Sequence, residues 1–314
     1  MNLFWKRFFG RLVPTAKYEK QEVDFLTASE KNKTLKYSSA VAEYKKNYLD
    51  AKFKSPDERK KIKARLSELK KYPDVAFFLK NQTQKKGAFR DAFLTFSDDF
   101  FKQDTEKSFW SPGFYFQQEQ FIRNYSFHNE KQANNAGQNT TLNGGLMKIH
   151  TRREVAKSLA WHPVHGFSDK QFAYTSDIIQ TAKTFRQQGG IFKAKIRCSG
   201  NIHHAFWLGT ETKQPHINIF HFNGKEIQMG FVNQHSGDGI TIKGIDTSKF
   251  HIYTLEWTKD AIIWYINNLA VFRVHHDIPR ESMFLVFNSF IPEKMNGEEG
   301  LLEVDWVRVY QFNP

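Results

Sequence analysis

The sequence predicts a mainly β protein, a two-sheet sandwich or jelly roll over residues 87–314, preceded by a basic helical region over 1–86. Three observations carry this reading. From about residue 88 onward, apolar and polar residues alternate in short runs such as GLMKIHTR, GIFKAKIRCSG, HIYTLEWT and AIIWYINN, the period of two that a half-buried strand shows. Asn143-Gly144, Gly189-Gly190, Asp238-Gly239 and Asn267-Asn268 punctuate these runs with pairs that suit tight hairpins. The chain also holds 31 Phe, 11 Tyr and 7 Trp, and flat rings pack well on pleated sheet faces.

The first third reads as helix. SSAVAEYKKNYLDAKF brings Val41, Tyr44 and Tyr48 together at three- and four-residue steps. In SPDERKKIKARLSELKK, Ser55 is the N-cap, Pro56 occupies the first helical position and Glu58 closes a capping box, with the proline placed where its missing N–H is not needed. Ile62, Leu66 and Leu69 form only a narrow apolar stripe, which cannot close a core alone. The stripe must lie on another helix, on the following domain or on a neighbouring subunit. Tyr72-Pro73 ends this helix, DVAFFLKN adds a short element, and the polar QTQKKG stretch leads into the β region.

Charge separates the two regions. The formal net charge is +13, and residues 1–90 hold 23 Lys+Arg against 10 Asp+Glu, so the whole excess sits there and the rest is balanced. Such an arm suits an assembly or docking role toward other protein subunits, an acidic partner, a nucleic acid or an anionic membrane surface; the plainer alternative is a solvated helix pair. Lys60, Lys61, Lys63 and Arg65 spread around their helix, which argues against sequence-specific nucleic-acid recognition. The N-terminal MNLFWKRFFGRLVP has Lys6, Arg7 and Arg11 among its apolar residues, unlike an ordinary secretory signal. As a helix it gathers Phe4, Trp5, Phe8, Phe9 and Leu12 on one face, for docking on protein or at a membrane surface. No run is long enough for a transmembrane helix, and the single cysteine, Cys198, excludes an intrachain disulfide.

Six motifs, in order, resemble glycoside hydrolase family 16, the laminarinase- and lichenase-like β-glucanases of the concanavalin A-like superfamily. They are FSDDF (96–100) with Trp110, NGGLMKIHTR (143–152), YTSDIIQTAKTFRQQGGIFKAKIR (174–197), AFWLG (205–209), DTSKFHIYTLEWTKDAIIWYINNLAVFRV (246–274) and VDWVRVYQ (304–311). The resemblance implies a concanavalin A-like two-sheet jelly roll. In that family the strand after AFWLG carries Glu-x-Asp-x-x-Glu, with a bulge that turns all three acids into one cleft. Here HINIFHF (216–222) places His216 at the nucleophile position, Asn218 at the assisting position and His221 at the acid/base position.

Retaining hydrolysis needs a carboxylate nucleophile about 5–5.5 Å from a carboxylic acid. The resemblance therefore implies a degenerate site with no catalytic residue and no activity, a carbohydrate-binding or structural pseudo-hydrolase. The alternative is a glycoside hydrolase acting on a β-linked polysaccharide through an altered site, with acids such as Glu211 or Glu226 recruited from elsewhere. Trp207, His216, Asn218, His221 and His203 are the candidate ligand-binding residues. Drift of a dead site, glycan binding and ligation of a metal by His216 and His221 are competing accounts of the histidines. No cofactor and no metal are expected. His203 and His204 occupy positions where the family often has Trp-Pro, and Trp161, in SLAWHPVHGF, lies in an insertion able to overhang the cleft. Trp257, Trp264 and Trp306 read as sheet packing, and His251 and Asn288 as strand braces. A glycan fold without a secretion signal fits synthesis in the cytoplasm and incorporation into a virion, such as a phage tail.

Overall fold

A computed structural model describes residues 3, 12–35, 37–50, 56–82, 92–101, 108–115, 123–212, 214–233 and 236–312. Two compact units emerge, Met1–Thr15 with Ala92–Pro314, and Ala16–Asp91. The expected boundary at 86/87 lies outside the described residues, and the described residues 3 and 12–15 group with the β-rich unit. Leu3 donates its N–H to the Lys243 carbonyl, Val13 donates to Asn268, and Asn267 donates back to the Val13 carbonyl. Leu3 and Leu12 are buried in the same apolar cluster as the strands. The proposed apolar face of Phe4, Trp5, Phe8 and Phe9 lies outside the described residues.

Four helices are described: α1 (Thr15–Leu35), α2 (Ser39–Asp50), α3 (Pro56–Leu69) and α4 (Pro73–Gln82). Within Ala16–Asp91, Leu35, Val41, Tyr44, Leu69 and Val75 form a small buried cluster. The stripe of α3 is therefore covered by other helices of its own unit, with Leu66 packed at the edge of that cluster. Arg65 of α3 grips both carboxylate oxygens of Glu43 on α2, at 2.7 and 3.0 Å. The N-cap expected at Ser55 falls outside the described residues. No described helix is long and apolar enough to cross a membrane.

Twenty strands follow among the described residues. They are β1 (Ala92–Asp98), β2 (Ser111–Pro112), β3 (Ser126–Phe127), β4 (Gln132–Asn134), β5 (Thr140–Asn143), β6 (Leu146–Thr151), β7 (Ala156–His162), β8 (Gly166–Phe172), β9 (Tyr174–Ser176) and β10 (Ile178–Gln180). The second half holds β11 (Gly190–Ser199), β12 (His203–Gly209), β13 (His216–Asn223), β14 (Ile227–Val232), β15 (Gly237–Ile242), β16 (His251–Trp257), β17 (Ile262–Ile266), β18 (Leu269–Val274), β19 (Phe284–Phe290) and β20 (Gly300–Phe312). One sheet runs β18-β17-β16-β11-β20-β6-β5, with β1 also paired to β20. The other runs β15-β14-β13-β12-β19-β10-β2, and β3-β7-β8 forms a small separate sheet. All pairings within the two large sheets are antiparallel.

Alternation places one apolar face of each large sheet inward, and the two meet in one core. Phe192, Leu255 and Val307 come from the first sheet, and Phe206, Phe220 and Phe287 from the second. The expected hairpin at Asn143-Gly144 joins β5 to β6, with Gly144 and Gly145 both at positive φ. Asp238-Gly239, by contrast, lies inside β15 and is not a turn. Gly239 sits opposite Gly230 in the ladder, and a Cβ on Gly230 would run into the Asp238 carbonyl oxygen. Close backbone approach, not chain reversal, requires glycine there.

Candidate functional site

The site is built on β13. Its burial alternates until the doubled buried pair Ile219–Phe220 shifts the phase. The ladders show the same interruption: Phe220 faces Phe206 and Asn218 faces Trp207 on β12, while on β14 Asn218 faces Gly230 and His221 faces Gln228. Two residues of β13 thus oppose one of each neighbour, which is a β-bulge. Without it, His221 would share the inward face with Ile217 and Ile219. With it, His216, Asn218 and His221 all lie on the outer face of the second sheet, half-buried, while Ile217, Ile219 and Phe220 are buried in the core. The other sheet braces the bulge, because the buried Trp264 indole N–H donates across the core to the Asn218 carbonyl at 2.9 Å.

Neighbouring strands complete the face. His203 Nδ1 lies 2.9 Å from His221 Nε2, so one imidazole donates to the other. The ring of Phe290 on β19 backs both, with centroids 4.7 Å from His203 and 5.8 Å from His221. Trp207 meets His216 edge-on at 6.1 Å and donates its indole N–H to Asn288 Oδ1 at 3.0 Å. The five sequence-predicted residues Trp207, His216, Asn218, His221 and His203 are therefore brought together. Phe290 and Gln228 were not singled out from the sequence; their positions beside His203 and His221 follow from strand register alone, which a single sequence does not provide.

Burial holds the imidazoles of His203 and His221 neutral near pH 7. His221 is pushed down to about 4, first by desolvation and then by the facing His203 and His216. Desolvation also takes His203 to about 4. His204 behaves alike but points the other way, into the core, with Nδ1 2.8 Å from Ser289 Oγ and Nε2 3.0 Å from the Ser199 carbonyl. It is a structural brace, outside the candidate ligand set.

The acids named as replacements lie elsewhere. Glu211 pairs with Arg186 at 2.7 Å, and Glu226, in the β13–β14 turn, pairs with Lys243 at 2.9 Å. Among the described residues, no group of three or more His, Cys, Asp or Glu is arranged to hold a metal ion, so the metal reading of His216 and His221 gains no third ligand. Asn139, the first residue of an Asn-Thr-Thr sequence, is fully buried and donates to the His150 carbonyl and Thr175 Oγ1.

Residues 167–308 match the family model for glycosyl hydrolases family 16. The endo-1,3-1,4-β-glycanase EglC of Rhizobium meliloti is 27% identical over 164 residues, covering 45% of this chain and 34% of that protein. The chain thus spans about a third of the length of this curated relative. The laminarinase catalytic domain of Thermotoga maritima superposes with a TM-score of 0.57 at 18% identity, over 72% of this chain and all of that one. A κ-carrageenase from Pseudoalteromonas carrageenovora, solved with an oligotetrasaccharide, gives 0.54 at 19%, over 72% and 97%. The concanavalin A-like architecture expected from the motifs is confirmed by these superpositions.

The curated relatives overturn one expectation. The loss of activity inferred from the residues of β13 is not supported, because the matching curated relatives are named as enzymes. Histidine and asparagine on the bulged strand describe an altered site and do not establish a dead one. The motif order and the family match over residues 167–308, on a sandwich with a bulged strand, together support the resemblance of the β-rich unit to glycosyl hydrolases family 16.

Proposed function

We propose that this domain binds a β-linked polysaccharide across the outer face of the second sheet and hydrolyses it through an altered site. The observation that carries the reading is the bulge, which sets His216, Asn218 and His221 on one face beside Trp207. The names of the relatives, endo-acting glycanases, support the same substrate class. Trp207 offers an aromatic surface for a sugar ring, and the Asn218 amide bonds ring hydroxyls in both directions.

The side chains of β13 on this face offer no carboxylate to form a glycosyl intermediate, so the route is a single displacement by water. Neutral His216 takes a proton from the attacking water as its oxygen bonds the anomeric carbon. The bond to the leaving oxygen breaks, and that oxygen takes a proton from His221 in its imidazolium form. His203, bonded to His221, orients the ring and exchanges the proton with it. The product carries inverted anomeric configuration.

The test is incubation of the purified protein with laminarin, lichenan, agar and carrageenan, followed by reducing-end release and NMR of the fresh anomer. Release with inversion, abolished by His221→Ala, is expected. No release from any polysaccharide defeats the hydrolytic reading, and retained configuration defeats the single-displacement route.

A further inference from the structure

The β7–β8 hairpin, with β3 beside it, carries an aromatic face that the fold covers only in part. Register places Phe127, Trp161 and Phe167 directly opposite one another on β3, β7 and β8, so the three rings share a face. The other face is the buried one: Ala160 and Phe172 pack against Ala133 there. Phe167 is 42% exposed, Trp161 is half-buried, and Val164 at the hairpin tip is 78% exposed. An exposed apolar row of this kind on a short insertion marks an interaction surface.

Its neighbours indicate the occupant. Phe127 meets Trp161 at 5.9 Å and Phe114 at 5.5 Å, and Tyr125 bridges Phe114 at 4.6 Å to Phe167 at 5.1 Å. Phe114 also packs on the cluster formed by Ile178, Phe284 and Val286, the cluster against which Trp207 packs. An apolar tract thus links the wall of the proposed cleft, through the aliphatic cluster on β19 and β10, to the rings of the hairpin. Beside it, Lys157 and Asp169 form a pair at 3.0 Å with 74% and 64% of their side chains exposed. A pair so solvated adds little to stability and leaves both groups available to hydroxyls.

We infer that the β7–β8 hairpin is a distal sugar-binding subsite, taking a part of the same polysaccharide chain that lies beyond the cleft. Apolar faces of pyranose rings stack on Trp161 and Phe167, and Lys157 and Asp169 bond ring hydroxyls at the rim. Neighbouring strands lie about 4.8 Å apart, a spacing near the rise of one sugar along an extended chain. This inference rests on the proposed glycan cleft.

The experiment measures binding of laminarin, lichenan, agar and carrageenan, and of size-graded oligosaccharides from each polymer that binds, by calorimetry. It compares the full chain with Trp161→Ala, Phe167→Ser and Trp207→Ala. Expected is about a tenfold loss for long chains in the two hairpin variants, with fragments short enough to fill the cleft alone unaffected, and loss for all lengths in Trp207→Ala. Phe167→Ser, at an exposed position, keeps the test valid where Trp161→Ala fails to fold. If the unaltered protein binds none of the glycans, the cleft reading fails and the subsite with it. If it binds while the hairpin variants match it at every length, or lose short and long ligands equally, the subsite alone is overturned.

Discussion

The indole N–H of Trp264 reaches across the sandwich core to the carbonyl oxygen of Asn218, 2.9 Å away. One sheet thereby fixes the bulge that aims the other sheet's site residues. Trp264→Phe keeps a ring in the core but leaves that carbonyl without its indole donor. An unsatisfied buried acceptor costs about 1–3 kcal/mol, and a lower denaturant midpoint is expected. Glycan binding should fall further than this stability loss explains, because the bulge is no longer held. A stable Trp264→Phe variant with unaltered binding would show that the bulge holds itself.

The buried imidazoles set an acid limit to stability. His203, His204 and His221 each titrate near 4 in the fold, against about 6.5 in the unfolded chain. Between those values the unfolded chain binds more protons, so stability is full above about pH 6.5 and declines as pH falls toward 4. Thermal midpoints recorded from pH 7.5 downward should drop over this window. His204→Gln should flatten the drop while lowering the midpoint at neutral pH, through the bonds lost to Ser289 and Ser199. A midpoint independent of pH between 6.5 and 4 contradicts the burial of these rings.

Activity should follow the same chemistry with the opposite slope. The donor form of His221 becomes abundant only as pH approaches about 4, whereas His216 must stay neutral to accept a proton from water. Reducing-end release should therefore rise as pH falls below neutrality and then turn over. His203→Phe, which removes the bonded partner of His221, should move the acidic side of the profile and not merely scale it. An optimum above pH 7 would remove His221 as the proton donor.

The sandwich was legible because alternation and turn residues are local properties, and because β11, β13, β16 and β17 carry strong apolar patterns. The spacing of His216, Asn218 and His221 became interpretable only through the resemblance, since a strict period of two puts His221 on the wrong face. The bulge that corrects the phase is set by the pairing register with β12 and β14 and by Trp264 from the opposite sheet, none of which the strand's own residues reveal. Asp238-Gly239 misled for the same reason: the backbone approach of β14 that calls for glycine at this ladder position is a tertiary fact. The hydrogen bond between His203 and His221 joins residues eighteen apart, and no local pattern announces it. Residue types on one strand do not decide activity, because the curated relatives to which this domain is similar are named as enzymes.

Trp207 owes its orientation to a residue first read as a strand brace. Asn288 lies on β19, where register sets it opposite Ala205, and its Oδ1 accepts the Trp207 indole N–H at 3.0 Å. Gly209 leaves space on the far side, since a Cβ there would come within 2.7 Å of the Trp207 ring. The indole is thus held by a bond at one edge and a required gap at the other. Asn288→Ala removes the bond without touching the core and should shift stability by less than about 1.5 kcal/mol, the net worth of one such bond. Its effect on sugar binding should be larger, because a ring free to rotate loses its preorganised face. Trp207 fluorescence, isolated by subtracting a Trp207→Phe control, should become more quenchable by iodide in Asn288→Ala. Unchanged quenching with unchanged glycan affinity would mean that packing against Phe284 and Val286 alone orients the indole.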